Sequence, residues 1–493
     1  MIKKLSELAL LIPDAKIIGA DCDITGIEHD SRKITTKNLF VCMEGAHVDG
    51  HNFISQAPDR GAVAVLTARK NFTPPENISA LIVPNMLNAL AVIVPYFYDY
   101  PARSMRVVGV TGTNGKTTTT YMLKEIFQSA GLSVGLIGTI QILIGDESRP
   151  NPNTTPNVID LQHLFNEMRE RKIEIVVMEV SSHALAENRV AGIEFDTAVF
   201  TNLTQDHLDF HGTMENYLRA KAKLFDIVSR NGRKKNKAAI VNIDDTASNE
   251  ILQHCLCEKI SYAIENNADL RAVDVNIRTD GTKFRIRGEF GVMNLSLHVT
   301  GKFNVYNVMA AIGASLAENI RPDVIKHALE NFRSVPGRFE KIFADVPFTV
   351  IVDYAHTPDG IKNVLETARQ IAKGRILTVF GCGGDRDNRK RPIMGKIAAE
   401  LSDVVIATSD NPRTENPEKI LDDIEVGIGD KTHERIVDRR SAIFHAIELA
   451  QAGDVVMILG KGHEDYQILN SGTIHFDDRE VARESITHLN PNT

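Results

Sequence analysis

Residues 112–118, Gly-Thr-Asn-Gly-Lys-Thr-Thr, combine the residue types that grip a triphosphate. An apolar β-branched stretch at 106–110 precedes them, and helical spacing follows from 117 to 130 through Tyr121, Met122, Ile126 and Phe127. In such a strand–loop–helix, glycines let the backbone turn tightly and aim its N–H groups at phosphate oxygens. Lys116 then reaches the β- and γ-phosphates, and Thr117 offers a hydroxyl to Mg²⁺. The expected nucleotide contacts are Gly112, Thr113, Asn114, Gly115, Lys116, Thr117 and Thr118. Val110 stands where the usual pattern has its first glycine. Glu179 ends the apolar run at 175–178 and supplies the hard oxygen that a magnesium ion prefers.

A second pattern lies far downstream. Apolar strands at 348–352, 376–380, 404–407 and 455–459 run into polar clusters. These are Asp353-Tyr354-Ala355-His356-Thr357-Pro358, Gly381-Cys382-Gly383-Gly384-Asp385-Arg386-Asp387, Ser409-Asp410-Asn411-Pro412-Arg413 and Gly460-Lys461-Gly462-His463-Glu464. Open α/β sheets take ligands at the carboxyl ends of their strands, so four such clusters predict a pocket edge.

The elements that must position these groups alternate strand and helix, as mostly parallel sheets require. Short apolar runs at 39–43, 62–66 and 80–83 belong to a first segment, which the break at 96–101 closes. Strands at 134–138, 173–178, 197–200 and 238–241 belong to a second, and Pro336-Gly337 marks the next boundary. The expected fold is α/β with three domains, 1–103, 104–335 and 336–493. At 493 residues the chain exceeds a single core.

A net charge of −8 argues against a general nucleic-acid binder, and the basic run at 230–237 is expected to be a solvated loop. No stretch reaches membrane-span length, and residues 1–13 predict an amphipathic helix rather than a signal peptide. Five cysteines do not make a disulfide framework and fit a reducing cytoplasm. His254, Cys255 and Cys257 lack a second ligand pair at zinc spacing and are expected to be structural.

Taken together, the phosphate loop, Glu179-Val180-Ser181-Ser182-His183, residues 201–212 (Thr-Asn-Leu-Thr-Gln-Asp-His-Leu-Asp-Phe-His-Gly) and Asp353–Pro358 resemble the Mur ligases. These are ATP-dependent amino-acid ligases of bacterial cell-wall precursor synthesis. Asp410-Asn411-Pro412-Arg413 is similar to the motif of the branch that adds meso-diaminopimelate. The resemblance runs over all three segments. It implies a uridine-nucleotide domain, a central P-loop ATPase domain and a C-terminal Rossmann-like domain that carries the amino acid.

The implied reaction phosphorylates the terminal D-glutamyl carboxylate of UDP-N-acetylmuramoyl-L-alanyl-D-glutamate; the amine of meso-diaminopimelate then displaces phosphate. The resemblance further implies His207 as a magnesium ligand, and Lys221, in Tyr217-Leu218-Arg219-Ala220-Lys221, as a lysine carbamylated by CO₂. Lys116, Glu179, His207 and Lys221 form the implied catalytic set. Asn304, Arg338, Asp353 and His356 match nucleotide contacts. Ser31, His47, Asn153, Thr154, Thr155, Ser181 and Arg189 match positions that hold the muramoyl-dipeptide nucleotide. Glu187 departs from the glutamine common in relatives. A cytoplasmic monomer with no nucleic-acid or membrane partner is expected.

The amino acid is chosen by charge. meso-Diaminopimelate is lysine with a second carboxylate, and an arginine fork suits that group, which makes Arg413 selective with Arg386 beside it. Asp410 and Glu464 suit the ammonium, while Asn411, Pro412 and Gly460 complete the contacts. Ligases adding lysine or D-alanyl-D-alanine, folylpolyglutamate synthetase and a P-loop regulatory ATPase are the competing readings. Amino-acid preference separates the first three, and ATP cleavage without acceptor and amine would mark the last.

Overall fold

The computed structural model describes residues 1–45, 48–230, 232–278 and 280–489. Its chain forms two compact units, Met1–Gly109 with Leu132–Thr197 and Asp226–Lys237, and Val110–Gly131 with Ala198–Phe225 and Ala238–Thr493.

In the first unit, strands Lys16–Ile18, Ser79–Ile82, Ala62–Thr67, Asn38–Val41 and Gly26–Glu28 lie side by side in that order. All pair in parallel except Lys16–Ile18, which runs antiparallel to its neighbour. Leu39, Val41, Leu66 and Leu81 bury against Leu90, Ile93, Val94 and Phe97 of helix Met86–Phe97. The Asn85 side chain caps that helix by accepting the Asn88 N–H. A second sheet pairs Val134–Ile137 in parallel with Ile175–Glu179, the strand that ends in the expected metal ligand.

Two expectations are corrected here. Residues 1–13 give only a five-residue helix, Leu5–Ala9, after a strand at Lys3–Lys4 that pairs with Asp23–Ile24. The basic run is not wholly solvated either. Lys234 is nearly buried on Asp196 at 2.8 Å, because that carboxylate also accepts Val107 N–H and needs a cation beside it.

In the second unit, the phosphate loop leads into helix Lys116–Ser129, which packs against helix Lys302–Ala317. Parallel strands Ala238–Asn242, Glu258–Ala263 and Leu270–Arg278 continue into an antiparallel meander through Gly281–Gly288 and Gly291–Leu297. A separate six-stranded sheet follows the order Glu340–Ile342, Thr349–Asp353, Val455–Leu459, Ile376–Phe380, Val404–Ala407, Glu434–Arg435. All of these pair in parallel save the first. Its strands read as continuous apolar runs because both faces are covered, one by helices Pro358–Ile371, Lys390–Leu401 and Pro417–Ile428. Helices Arg439–Leu449 and Asp478–Leu489 cover the other. The last strand in sequence, Val455–Leu459, inserts between Thr349–Asp353 and Ile376–Phe380. Strand ends distant in sequence thus become neighbours.

Candidate active site

The phosphate loop is shaped by the glycines its backbone demands. Gly112 and Gly115 hold φ of +147° and +87°, and a Cβ would meet Thr201 Oγ1 at 1.9 Å or Asn307 Oδ1 at 2.3 Å. The loop is fastened to residues 201–204. Thr113 and Asn114 N–H donate to the carbonyl and the side-chain oxygen of Asn202, each at 2.9 Å. Thr201 Oγ1 donates to Asn114 O at 2.6 Å. Asn114 Nδ2 also reaches Asp359 Oδ2 at 2.8 Å, at the start of helix Pro358–Ile371.

Two lysines meet on one carbonyl. Lys116 Nζ donates to Gly112 O at 2.9 Å and Thr113 O at 2.8 Å, while Lys221 Nζ donates to Gly112 O at 2.7 Å. Burial drives the Lys221 pKa well below its ordinary value, and the neighbouring Lys116 charge adds to this. The Lys221 nitrogen lies 4.3 Å from the Tyr217 ring centre, one helical turn away. Tyr217 also shares a 3.1 Å hydrogen bond with Thr113 Oγ1 and stands edge-on to His207. His207 sits at φ +53° with its Nε2 3.3 Å from Asp206. Tyr217 was not among the expected site residues, although its i,i+4 spacing to Lys221 was a usable signal.

Arg338, 221 residues from Thr117 in sequence, donates to the Thr117 hydroxyl at 3.1 Å. Its guanidinium stacks 4.4 Å from the Tyr354 ring centre, and the Tyr354 ring contacts both His356 and His463. Asp353 accepts the N–H groups of Phe339 and Ala355 at 2.6 and 2.7 Å, which fixes the turn. Burial raises its pKa to about 6, against the pull of Arg338. Burial, reinforced by Lys390, lowers His356 to about 4, so this imidazole is neutral at pH 7. Asn304 is buried and bonds to Thr300 O and Asn307; Asn307 in turn backs Gly115.

All four downstream clusters converge. Gly384 N–H donates to Asn411 O at 2.9 Å, and Arg413 Nη1 to Gly384 O at 2.8 Å. Arg413 is half-buried at φ +54°, and Arg386 is exposed. A Cβ on Gly460, at φ +116°, would lie 2.5 Å from Asp410 Oδ2, so glycine is required there. Asn411 Nδ2 donates to Glu464 at 2.8 Å. Pro412 is buried, and its carbonyl leaves room only for glycine at Gly384. Lys461, wholly buried between these groups, was also not anticipated.

In the first unit, Glu179 is wholly buried and its carboxylate accepts Thr139 N–H and Oγ1 at 2.8 and 3.0 Å. Thr139 Oγ1 also meets Thr154 Oγ1 at 3.0 Å. Thr155 Oγ1 donates to Glu179 O at 2.9 Å and accepts Ser181 N–H at 3.0 Å. Arg189 donates to Thr155 O at 3.1 Å and pairs with Glu187 at 2.6 Å. Thr154, Thr155, Ser181 and Arg189 are thus gathered round the strand end at Glu179, with Asn153 exposed beside them. Ser31 opens a short 3-10 turn whose Asp30 cap accepts Arg32 N–H. His47 lies outside the described residues.

A phosphate loop joined to a second nucleotide-type sheet by an arginine defines an ATP-using enzyme of the P-loop ligase class. Family comparison matches residues 23–99 to the Mur ligase family catalytic domain, 110–315 to the Mur ligase middle domain and 337–462 to the Mur ligase glutamate ligase domain. The chain is 44% identical to a UDP-N-acetylmuramoyl-L-alanyl-D-glutamate–2,6-diaminopimelate ligase of Bacillus cereus over 98% of both chains. The ligase of the same name from Geobacillus thermodenitrificans is 46% identical over 95% of this chain and 96% of its own. A solved structure of a ligase of that name shares 32% identity and a TM-score of 0.66 over 94% of this chain and 95% of its own. The chain belongs to the Mur ligase family and has its three-domain α/β fold.

Proposed function

We propose that this protein is the ATP-dependent ligase that joins meso-2,6-diaminopimelate to UDP-N-acetylmuramoyl-L-alanyl-D-glutamate in peptidoglycan precursor synthesis. The observation that carries this reading is the Asp410–Arg413 turn, packed on Gly384 and joined to Glu464 within the unit that holds the phosphate loop. Full-length similarity to ligases of that name supports it. Residues 1–103 bind the uridine nucleotide, 104–335 bind ATP and 336–493 bind the amino acid.

Carboxylate attack on a γ-phosphate brings anions together, so positive charge must stand where the transferred group passes. Lys116 and the loop N–H groups provide it, and Arg338, His356 and Asp353 organise the nucleotide side. Ser31, His47, Asn153, Thr154, Thr155, Ser181 and Arg189 hold the acceptor. Arg413, with Arg386, takes the distal carboxylate of the diamino acid, while Asp410 and Glu464 take its ammonium.

The residues present fit a magnesium site. Thr117 is a buried hydroxyl, and burial of Lys221 favours the neutral amine, the form that captures CO₂ as an anionic carbamate. Thr117, His207 and carbamylated Lys221 would hold the metal. A magnesium ion held there would supply charge neutralisation for the transferring phosphoryl group.

Five free thiols support a reducing, cytoplasmic setting, and the proposed enzyme is a monomer acting on small molecules. The test is the mass of the product made from UDP-N-acetylmuramoyl-L-alanyl-D-glutamate, ATP and either diaminopimelate or lysine. The diaminopimelate adduct is expected to dominate, and equal lysine addition would overturn the assignment.

A further inference from the structure

Lys461 lies among the residues proposed to hold the amino acid, bonded to both Asn411 and Glu464. Its side chain is wholly buried, a costly place for an ammonium unless its donors are used. They are used on the pocket itself. Nζ donates to Glu464 Oε2 at 3.1 Å, to Asn411 Oδ1 at 3.4 Å and to the Tyr466 carbonyl. Asn411 closes the triangle by donating Nδ2 to the same Glu464 oxygen at 2.8 Å. The Asn411 Oδ1 atom also accepts Ile468 N–H at 2.9 Å, so two donors fix which way this amide faces.

We propose that Lys461 is a positioning residue for amino-acid binding, holding Glu464 as an oriented carboxylate and locking the Asn411 amide for an incoming ammonium. This rests on reading Asp410, Asn411, Arg413 and Glu464 as the diamino-acid site. The charged and titratable groups that face Glu464 are Lys461, Asp410, Tyr354, Tyr466 and Arg439. Arg439 is already engaged by Asp478 at 2.7 Å, and burial holds both phenols above their ordinary range, uncharged. Burial pushes the Glu464 carboxyl up; Lys461 opposes this most, and Asp410 adds to the rise. Removing the lysine charge would therefore leave two acids facing each other in a buried site, and Glu464 would take a proton. A protonated Glu464 no longer attracts an ammonium.

The experiment compares Lys461→Met and Lys461→Arg with the unaltered enzyme, measuring kcat and KM for diaminopimelate across pH, with ADP affinity as the check on fold. Lys461→Met is expected to raise KM roughly 10- to 100-fold with little change in kcat. The acid limb of its kcat/KM profile should move upward by about one pH unit or more. Lys461→Arg keeps the charge, so its acid limb should stay in place even if its KM rises. An unmoved limb in Lys461→Met, or a limb moved equally by Lys461→Arg, overturns the proposal in favour of packing alone. Should Lys461→Met fail to bind ADP, Lys461→Gln, which also removes the charge, takes its place under the same criterion. If Arg413→Ala leaves diaminopimelate kinetics unchanged, the site reading itself fails, a result distinct from either outcome at Lys461.

Discussion

The phosphate loop at 112–118 and the turn at 410–413 both leave the carboxyl end of a strand, but they manage charge differently. The first presents backbone. Gly112 and Gly115 shape it, Asn202 fastens it, and both nearby lysines rest on the Gly112 carbonyl. The second presents side chains drawn from separate loops, where Arg413 leans on Gly384 and Glu464 is held by Asn411 and Lys461. A backbone grip suits a phosphate that every nucleotide carries. A charge-matched pocket discriminates among amino acids that share one backbone, because a missing partner leaves a buried group unsatisfied.

If that division holds, damage to the two regions should separate in kinetics. The largest effect is expected at Arg413→Ala. Discrimination for diaminopimelate over lysine should fall by up to roughly 10⁴-fold, chiefly through the amino-acid KM, with ATP KM little changed. Loss of ATP affinity instead would erase the distinction between the regions.

A smaller but complementary loss is expected at Lys221→Ala. Its kcat should drop roughly 10²- to 10³-fold with diaminopimelate KM preserved, and added short carboxylic acids should restore part of the rate. Absence of rescue, together with an unmodified Lys221 mass in gently handled protein, would remove the carbamate from the account.

The smallest expected effect is on stability. His356 and His463 are pushed down to about 4 and about 3 by burial, below the ordinary value of 6.5. Their contribution is present above pH 6.5 and is lost as pH falls towards those lowered values, because the unfolded chain binds the protons first. Asp353, raised to about 6, works in the opposite sense; its contribution is present below its ordinary value of 3.8 and lost as pH rises through 6. With two histidines against one aspartate, Tm should fall by several degrees between about pH 7 and pH 5. His463→Gln should flatten that fall, and a Tm insensitive to pH in both proteins would contradict the burial argument.

The two regions also differ in how far they could be read beforehand. The strand, glycines, lysine and helix of the phosphate loop follow one another between 106 and 129, so they are visible as one local pattern. The carboxyl-end clusters were visible one at a time, and their convergence followed from the strand-end rule for parallel sheets. What stayed hidden was long-range. Lys461 looks like any lysine beside glycine until Val455–Leu459 slots between two earlier strands and carries it under Asn411. Lys234 looked solvated in its basic run until Asp196 was found beneath it.

Chain order alone made legible the alternating α/β class, the glycine-lysine phosphate-loop pattern and the arginine in the 410–413 motif, because each depends on neighbours a few positions apart. Folding settled which charges burial disfavours, which carbonyl two lysines share, and that Arg338 reaches Thr117. Those outcomes depend on burial and on distances between strands remote in sequence. Such quantities do not exist until the sheets have closed.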